Sequence, residues 1–374
     1  MLDSAIDRVE GEAADGDVVD LVSEKGKFVA RGLLNSRSRI RVRLYTWNAA
    51  QPLDDSFWQS RLEKAVQFRR QLGYDDTAGA ARLVFSEGDG LSGLVVDRYA
   101  DYLAVQANAL AIATRLPLIV SSLVELTGAR GVLLRTERGI SQAEGLEIRD
   151  GPYWGLPPGG PLEIVENGLH YSVDLAEGQK TGFYLDQREN RKIAAGYLRD
   201  RRVLDMFCYS GGFSLAASAL GGAKEVIAVD SSAKALALAE ANARLNSVAN
   251  ISFRCGEGFE VLESLARAGE RFDAVILDPP KFARRRRALK DALQAYHWLN
   301  RLAVAVLEPG GILVTCSCSG HVSREDFLYT LVGVASQTKR DIQILDARGA
   351  APDHPVMWSC LESEYLKCFI CRVL

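Results

Sequence analysis

The stretch RRVLDMFCYSGGFSLAASAL, Arg201 to Leu220, decides the fold. Val203 to Phe207 is a short apolar run, which reads as a buried strand. Gly211 and Gly212 punctuate it, and an Ala/Leu-rich helical segment follows. Strand, glycine turn and helix together form the opening unit of a parallel sheet, whose neighbouring strands must be joined by crossovers. The same alternation continues downstream through KEVIAVD, SAKALALAEANARLN, NISFRC, GFEVLESLARA, FDAVILD, a long helix, GGILVTCS, another helix, IQILDA and YLKCFICRV. That order is the pattern of an α/β, doubly wound, Rossmann-like sheet.

Upstream the pattern differs. Met1 to about Asn48 carries short Val/Leu/Ile/Phe runs separated by EKGK and NSRS, so a small β module is expected there. SFWQSRLEKAVQFRRQLG then reads as a connector helix that Gly73 stops. ARLVFSE, GLVVDRYA and YLAVQAN follow as strands, with an apolar helix from about Ala111 to Thr127 and the strand GVLLRT after them. GPYWGLPPGGP reads as a loop, and LEIVENGLHYSVDL as a hairpin turning at Asn167-Gly168. The middle of the chain is therefore expected to be α+β.

At 374 residues the chain is too long for one ordinary core. Its 48% hydrophobic and 25% charged residues are those of a globular protein, and no apolar run reaches membrane-spanning length. The acidic start lacks the apolar segment of a secretion signal, so the cytoplasm is the expected compartment. Seven cysteines fit reduced thiols there better than a disulfide framework. A net charge of -3 argues against coating nucleic acid by bulk charge but leaves room for local basic patches.

In a doubly wound sheet the ligand sits beyond the carboxyl ends of the strands. Asp205, Phe207, Tyr209, Ser210, Gly211 and Gly212 fall at the first end, and Asp230 and Ser231 at the second. Glu257, Gly258 and Phe259 follow the third, and Asp278, Pro279, Pro280 and Lys281 the fourth. Glycines let the backbone approach a ligand, and an acidic residue about twenty positions on can hold ribose hydroxyls. Taken singly, Gly211-Gly212 could be a plain turn and Asp230 a helix N-cap. Four ends in order, each with a suitable group, point jointly to a nucleoside cofactor. The missing G-x-G-x-x-G weakens a dinucleotide, so S-adenosyl-L-methionine, which has no phosphate, fits better.

GQKTGFYLDQREN, DMFCYSGGFSL, DPPKFARRRR and TCSCSGHVS together resemble the bacterial PUA-domain 23S ribosomal RNA cytosine methyltransferases, over nearly the whole chain. The resemblance implies a PUA-like β module at 1–50, a connector helix and α+β domain at 51–175, and a class I methyltransferase domain at 176–374. It also implies S-adenosyl-L-methionine as cofactor and 5-methylcytosine in 23S ribosomal RNA as product. By the same carry-over Gln179, Lys180, Thr181, Gly182 and Phe183 lie over the cofactor's methionine end. Two departures stand out. The family's extra first strand is missing, so the PUA-like module is expected to lack it or the start to be an internal Met. Glu257 also stands where the family has Asp.

Carbon 5 of cytosine is a poor nucleophile. Adding a thiolate to carbon 6 activates it and splits one hard step into easier ones. LVTCSCSG offers Cys316 and Cys318 on one face of an ideal strand. Cys318 lies nearer the open end, where reactive thiols sit, and the resemblance places the nucleophile in Ser317-Cys318-Ser319. Without that resemblance two inert core thiols would be the better reading. Asp278 is expected to hydrogen-bond the base, with a strand-end turn as its bland alternative, and Lys281 to contact base or phosphate. Arg284, Arg285, Arg286 and Arg287 follow this loop and suit RNA phosphates. Arg37, Arg39, Arg41 and Arg43 alternate and would stripe one strand. The expected partners are 23S ribosomal RNA and a second copy in a homodimer, with no membrane and no metal. Two rivals remain: a base amino-group methyltransferase using DPPK, which usually wants an aromatic residue in place of Lys281, and a non-catalytic RNA-binding ribosome assembly factor.

Overall fold

A computed structural model describes residues 1–136, 138–175, 182–283 and 285–374 and resolves the chain into two compact units. The first comprises Met1–Ile164, Val173–Leu185 and Pro352–Cys360, and the second Val165–Ser172, Asp186–Ala351 and Leu361–Leu374.

The first unit opens with β1 (Val18–Val22), β2 (Phe28–Leu34) and β3 (Val42–Thr46), paired antiparallel in that order. Helix α1 (Asp55–Gln71) is capped by Asp54, whose carboxylate accepts from the Phe57 amide at 3.0 Å. It buries Phe57, Trp58, Leu62, Ala65 and Val66, and Gly73 with φ of 75° follows its end. A second sheet has the order β4 (Ala80–Phe85), β5 (Leu94–Tyr99), β6 (Tyr102–Ala107), β7 (Gly131–Arg135), β8 (Gly151–Gly155). Between β6 and β7 the expected single helix is broken into α2 (Leu110–Ala113) and α3 (Leu116–Thr127). Pro117 sits in the first turn of α3, where its missing amide costs nothing. Helix α4 (Arg138–Glu144) precedes β8.

Strand β8 corrects the loop expected at GPYWG. It pairs with β7 and places Pro152 opposite Leu133. It is the last strand in the order, and an edge strand tolerates a residue without an amide proton. The hairpin of β9 (Leu162–Glu166) and β10 (Leu169–Val173) forms as expected. Asn167 and Gly168 have φ of 53° and 78°, the left-handed pair that the tightest hairpin turn requires. The late segment is tied into the first unit by Asp353, whose carbonyl accepts from the buried Arg69 at 2.7 Å and whose carboxylate accepts from the Arg82 amide at 3.0 Å.

The second unit contains α5 (Arg188–Ala195), β11 (Arg202–Met206), α6 (Gly212–Leu215), β12 (Glu225–Asp230), α7 (Ala233–Leu245), β13 (Ile251–Cys255) and α8 (Gly258–Arg267). β14 (Phe272–Leu277), α9 (Leu289–Val306), β15 (Leu307–Ser317), α10 (Arg324–Thr338), β16 (Ile342–Arg348) and β17 (Lys367–Val373) complete it. Among the described residues the sheet order is β13-β12-β11-β14-β15-β17-β16. β11 to β15 run parallel, and β17 inserts antiparallel between β15 and β16. Alternation sends Leu204 and Leu277 into one core layer with Tyr296 and Phe327, and Val203 and Ile276 into the other with Val314 and Ile370. The register aligns Met206 with Val229 and Leu277, so the loops after β11, β12 and β14 leave from one edge. Among the described residues no helix is long and apolar enough to cross a membrane.

Candidate active site

The loop after β11 is held in an uncommon conformation. Phe207, Tyr209 and Gly211 have φ of 65°, 49° and 81°. For the two that carry a Cβ this region costs about 1–2 kcal/mol each. Neighbouring bonds fix the shape. The Cys208 amide donates to Val229 O at 3.0 Å, and Asn242 donates to Ser210 O at 3.0 Å. The Asp230 carboxylate accepts from the Tyr209 amide at 2.9 Å and the Ser232 amide at 2.8 Å. Ser232, not Asp230, caps α7 through the Ala235 amide, which corrects the alternative reading of Asp230 as the cap. Strain maintained this way at a strand end marks a functional loop.

The third strand end fits against this loop. A Cβ on Gly258 would lie 2.4 Å from the Phe207 ring, so only glycine lets the two turns meet. Glu257 is exposed and does not cap its own helix with its side chain. Ser231 is exposed, Gly212 is buried, and the half-buried Phe259 packs against Trp298 with ring centroids 4.8 Å apart.

Asp205 is fully buried on β11. Its Oδ2 accepts from Ser214 at 2.5 Å, while its buried Oδ1 has no hydrogen-bond partner. Burial pushes its carboxyl up to about 7, against the pull of Ser214 and with added repulsion from Asp278 and Asp230. Asp278 and Asp230 both oppose ionisation of Asp205, so this edge is acidic and suits a positively charged group better than a pyrophosphate. These acceptors therefore fit a nucleoside that carries positive charge, which S-adenosylmethionine is.

The fourth and fifth strand ends make a different environment. Asp278, half-buried after β14, accepts from the Gln187 side-chain amide at 3.0 Å. Asn190 donates to the Gln187 oxygen at 2.6 Å, which turns the Gln187 NH2 toward Asp278. After β15, Ser317 and Ser319 are buried while Cys318 between them is half-buried. The Cys318 thiol donates to Pro279 O at 3.7 Å, so the two predicted loops meet. Ser319 anchors this turn: its hydroxyl shares a 3.0 Å hydrogen bond with Tyr296 and accepts from the Ala283 amide at 3.3 Å. Burial, outweighing those serines, pushes the Tyr296 hydroxyl up to about 12.

Two residues earlier, Cys316 is a core thiol. It is fully buried and faces Cys368 across the strand pair. Contact with Cys368, and then burial, holds it well above the usual thiol range. Cys371 is pushed up to about 12 by burial.

Several residues escaped the sequence reading. Gln187 and Asn190 lie in YLDQREN, where spacing gives no sign of their partners. Lys367 reads from the sequence as part of the strand YLKCFICRV. It is 1% exposed, and its ammonium donates to Ser319 O and Tyr365 O, both at 2.8 Å. Burial pulls it down to about 8, with Cys318 pulling the other way. The signal was a lysine inside an otherwise apolar strand, since a lone buried charge is rare. Lys281 is exposed, its ammonium 5.8 Å from the Tyr365 ring centre.

Gln179, Lys180, Thr181 and Arg284 lie outside the described residues, and Gly182 and Phe183 belong to the first unit. Arg285 and Arg287 are exposed in the turn leading into α9. The basic stripe expected on one strand needs correction. Strand β3 starts at Val42, so Arg37, Arg39 and Arg41 lie in the preceding turn. Arg41 pairs with Asp3 at 2.8 Å and Arg43 with Glu144 at 2.9 Å. The turn forms because Asn35 and Ser38 are drawn to Glu144, an attraction that periodicity cannot reveal.

A doubly wound sheet with an antiparallel strand before its last edge, and carboxylates in place of a phosphate turn, defines a class I methyltransferase. Comparison with known proteins agrees. Residues 153–355 match the S-adenosylmethionine-dependent methyltransferase family, and residues 1–47 a PUA-like domain. Ribosomal RNA large subunit methyltransferase I of Cronobacter sakazakii is 37% identical, covering 99% of this chain and 94% of its own. Its counterpart in Escherichia coli is 36% identical with the same coverage. A SAM-dependent methyltransferase from Streptococcus mutans shares the fold at 22% identity, with a TM-score of 0.82 over 97% of this chain and 93% of that one. A methyltransferase complexed with SAH gives 0.83 at 24% identity, over 96% and 92%. The chain belongs to the family of S-adenosylmethionine-dependent methyltransferases that carry an N-terminal PUA-like domain, and S-adenosylmethionine is its cofactor.

Proposed function

We propose that the protein methylates carbon 5 of a cytosine in 23S ribosomal RNA, in the cytoplasm, with Cys318 as covalent nucleophile. The observation that carries this is the half-buried Cys318 thiol against Pro279 of the DPPK loop, next to Asp278 and beyond the same sheet edge as the carboxylates. The relatives named for the large ribosomal subunit supply the substrate class. Asp230 and Glu257 would hold the nucleoside, with the backbone from Phe207 to Gly212 beneath it. Bound there, the cofactor supplies an electrophilic methyl group.

The chain's own groups do the rest. The Cys318 thiolate bonds to carbon 6 and moves electron density onto carbon 5. Asp278, oriented by Gln187, hydrogen-bonds the amino edge of the cytosine and favours the adduct. Once carbon 5 has been alkylated, solvent water takes its proton, the carbon–sulfur bond breaks and the thiolate returns. Lys281, Arg285 and Arg287, exposed around this edge, suit the phosphates of a target nucleotide drawn out of its stack.

Transfer of a tritiated methyl group to undermethylated 23S ribosomal RNA, followed by nucleoside analysis, tests the reading. The label is expected in 5-methylcytidine. Recovery in a methylated adenine or guanine, or on the cytosine amino group, would overturn it.

A further inference from the structure

Lys367 is a buried charge to which the proposed chemistry gives no part. Antiparallel pairing sets Lys367 directly opposite Ser317, next to the proposed nucleophile. A buried ammonium is costly unless its environment repays it. Here two carbonyl oxygens do so, from Ser319 and Tyr365, each 2.8 Å away. One of them belongs to the residue directly after Cys318. The lysine thus grips the nucleophile's turn and places a positive charge in the protein interior behind it.

We propose that Lys367 is a positioning residue that fixes the Ser317–Ser319 turn and holds the Cys318 thiol in its thiolate form. This rests on the reading of Cys318 as the nucleophile. A thiol needs such help because near neutral pH it is largely protonated, and only the thiolate adds to carbon 6. Among the described residues the charges around it oppose one another. Asp278 on the loop after β14 disfavours a second anion, and the Pro279 carbonyl accepts the thiol proton, which favours the neutral form. Tyr296 faces the thiol from α9. Lys281 lies on the DPPK loop beside Tyr365, while Arg324 and Asp326 on α10 and Glu364 before β17 act on the lysine. Of these cations, Lys367 is the buried one, and low polarity strengthens its field. The upward pull of Cys318 on the lysine is the reciprocal of this effect.

The test reads the thiol rather than methyl transfer. The full chain is treated with iodoacetamide from pH 5 to pH 10, and alkylation of Cys318 is followed by peptide mass spectrometry. The exposed Cys255 serves as an internal reference. Lys367→Met is expected to raise the midpoint for Cys318 by about one pH unit or more and leave Cys255 unmoved, and Lys367→Arg to restore most of the shift. Binding of S-adenosylhomocysteine by calorimetry shows that each variant is folded. If Lys367→Met does not fold, the comparison moves to Lys367→Arg and Lys367→Gln. Superimposable Cys318 profiles in folded wild-type and charge-removing variants would overturn the proposal. The underlying reading fails separately: a Cys318→Ala variant with full turnover removes the nucleophile whatever the thiol titrates like.

Discussion

The two halves of the methyltransferase sheet edge are built from opposite chemistry. At β11 and β12 the backbone is strained and the side chains are carboxylates, one of them fully buried. At β15 and β17 the side chains are a half-buried thiol and a buried ammonium. On the proposed reading the first half holds a cation and the second sustains an anion. The contrast teaches that one sheet can present both environments, because its edge is furnished separately by the loops after β11, β12 and β15 and by the start of the antiparallel β17. Asp278 lies at the boundary, repelling Asp205 on one side and meeting the Cys318 loop on the other.

Substitutions that remove one half while sparing the other test this division. The largest effect is expected from Cys318→Ala, which should lower turnover by at least about a thousandfold while calorimetric binding of S-adenosylmethionine is unchanged. Loss of binding as well would merge the halves. Asp278→Asn should reduce kcat by about a hundredfold, with a smaller effect on cofactor affinity, read from initial rates at saturating RNA. Asp230→Ala should do the reverse and weaken cofactor binding by about tenfold or more, since its carboxylate also shapes the Tyr209 turn. Cys316→Ala should leave methyl transfer intact and lower stability by about 1 kcal/mol in a denaturant melt.

The smallest effect concerns pH and Asp205. Its carboxyl is raised to about 7 when folded, so the unfolded chain loses this proton first. Its contribution is fully favourable below the unfolded value of about 4 and is lost as pH rises toward 7. Without cofactor, the Tm of the wild type should therefore fall relative to Asp205→Asn between pH 5 and pH 8. A constant difference would mean that Asp205 does not titrate there.

Much of the second unit was legible because each strand–helix repeat is local. Asp230 and Asp278 each follow an apolar run directly, and Cys318 closes a strand that begins as one, so their placement puts them at the sheet edge. What stayed hidden depends on distant partners. Lys367 reaches Ser319 only because β17 runs antiparallel beside β15, and no short-range pattern encodes that pairing. Gln187 acts through Asp278, which is remote in sequence. Pro152 suggested a loop because its tolerance depends on β8 lying at an edge. The arginines from Arg37 to Arg43 alternate like a strand, yet contacts to Glu144 bend the first part into a turn.

The proposed reaction turns on a covalent bond between Cys318 and the target base. A 23S ribosomal RNA fragment containing 5-fluorocytidine blocks loss of the group at carbon 5 and so traps the adduct. With S-adenosylmethionine present, the account predicts a denaturation-resistant protein–RNA complex whose digestion leaves the nucleotide on the peptide containing Cys318. A fragment methylated at the normal rate without any adduct, or an adduct on another cysteine, would contradict it.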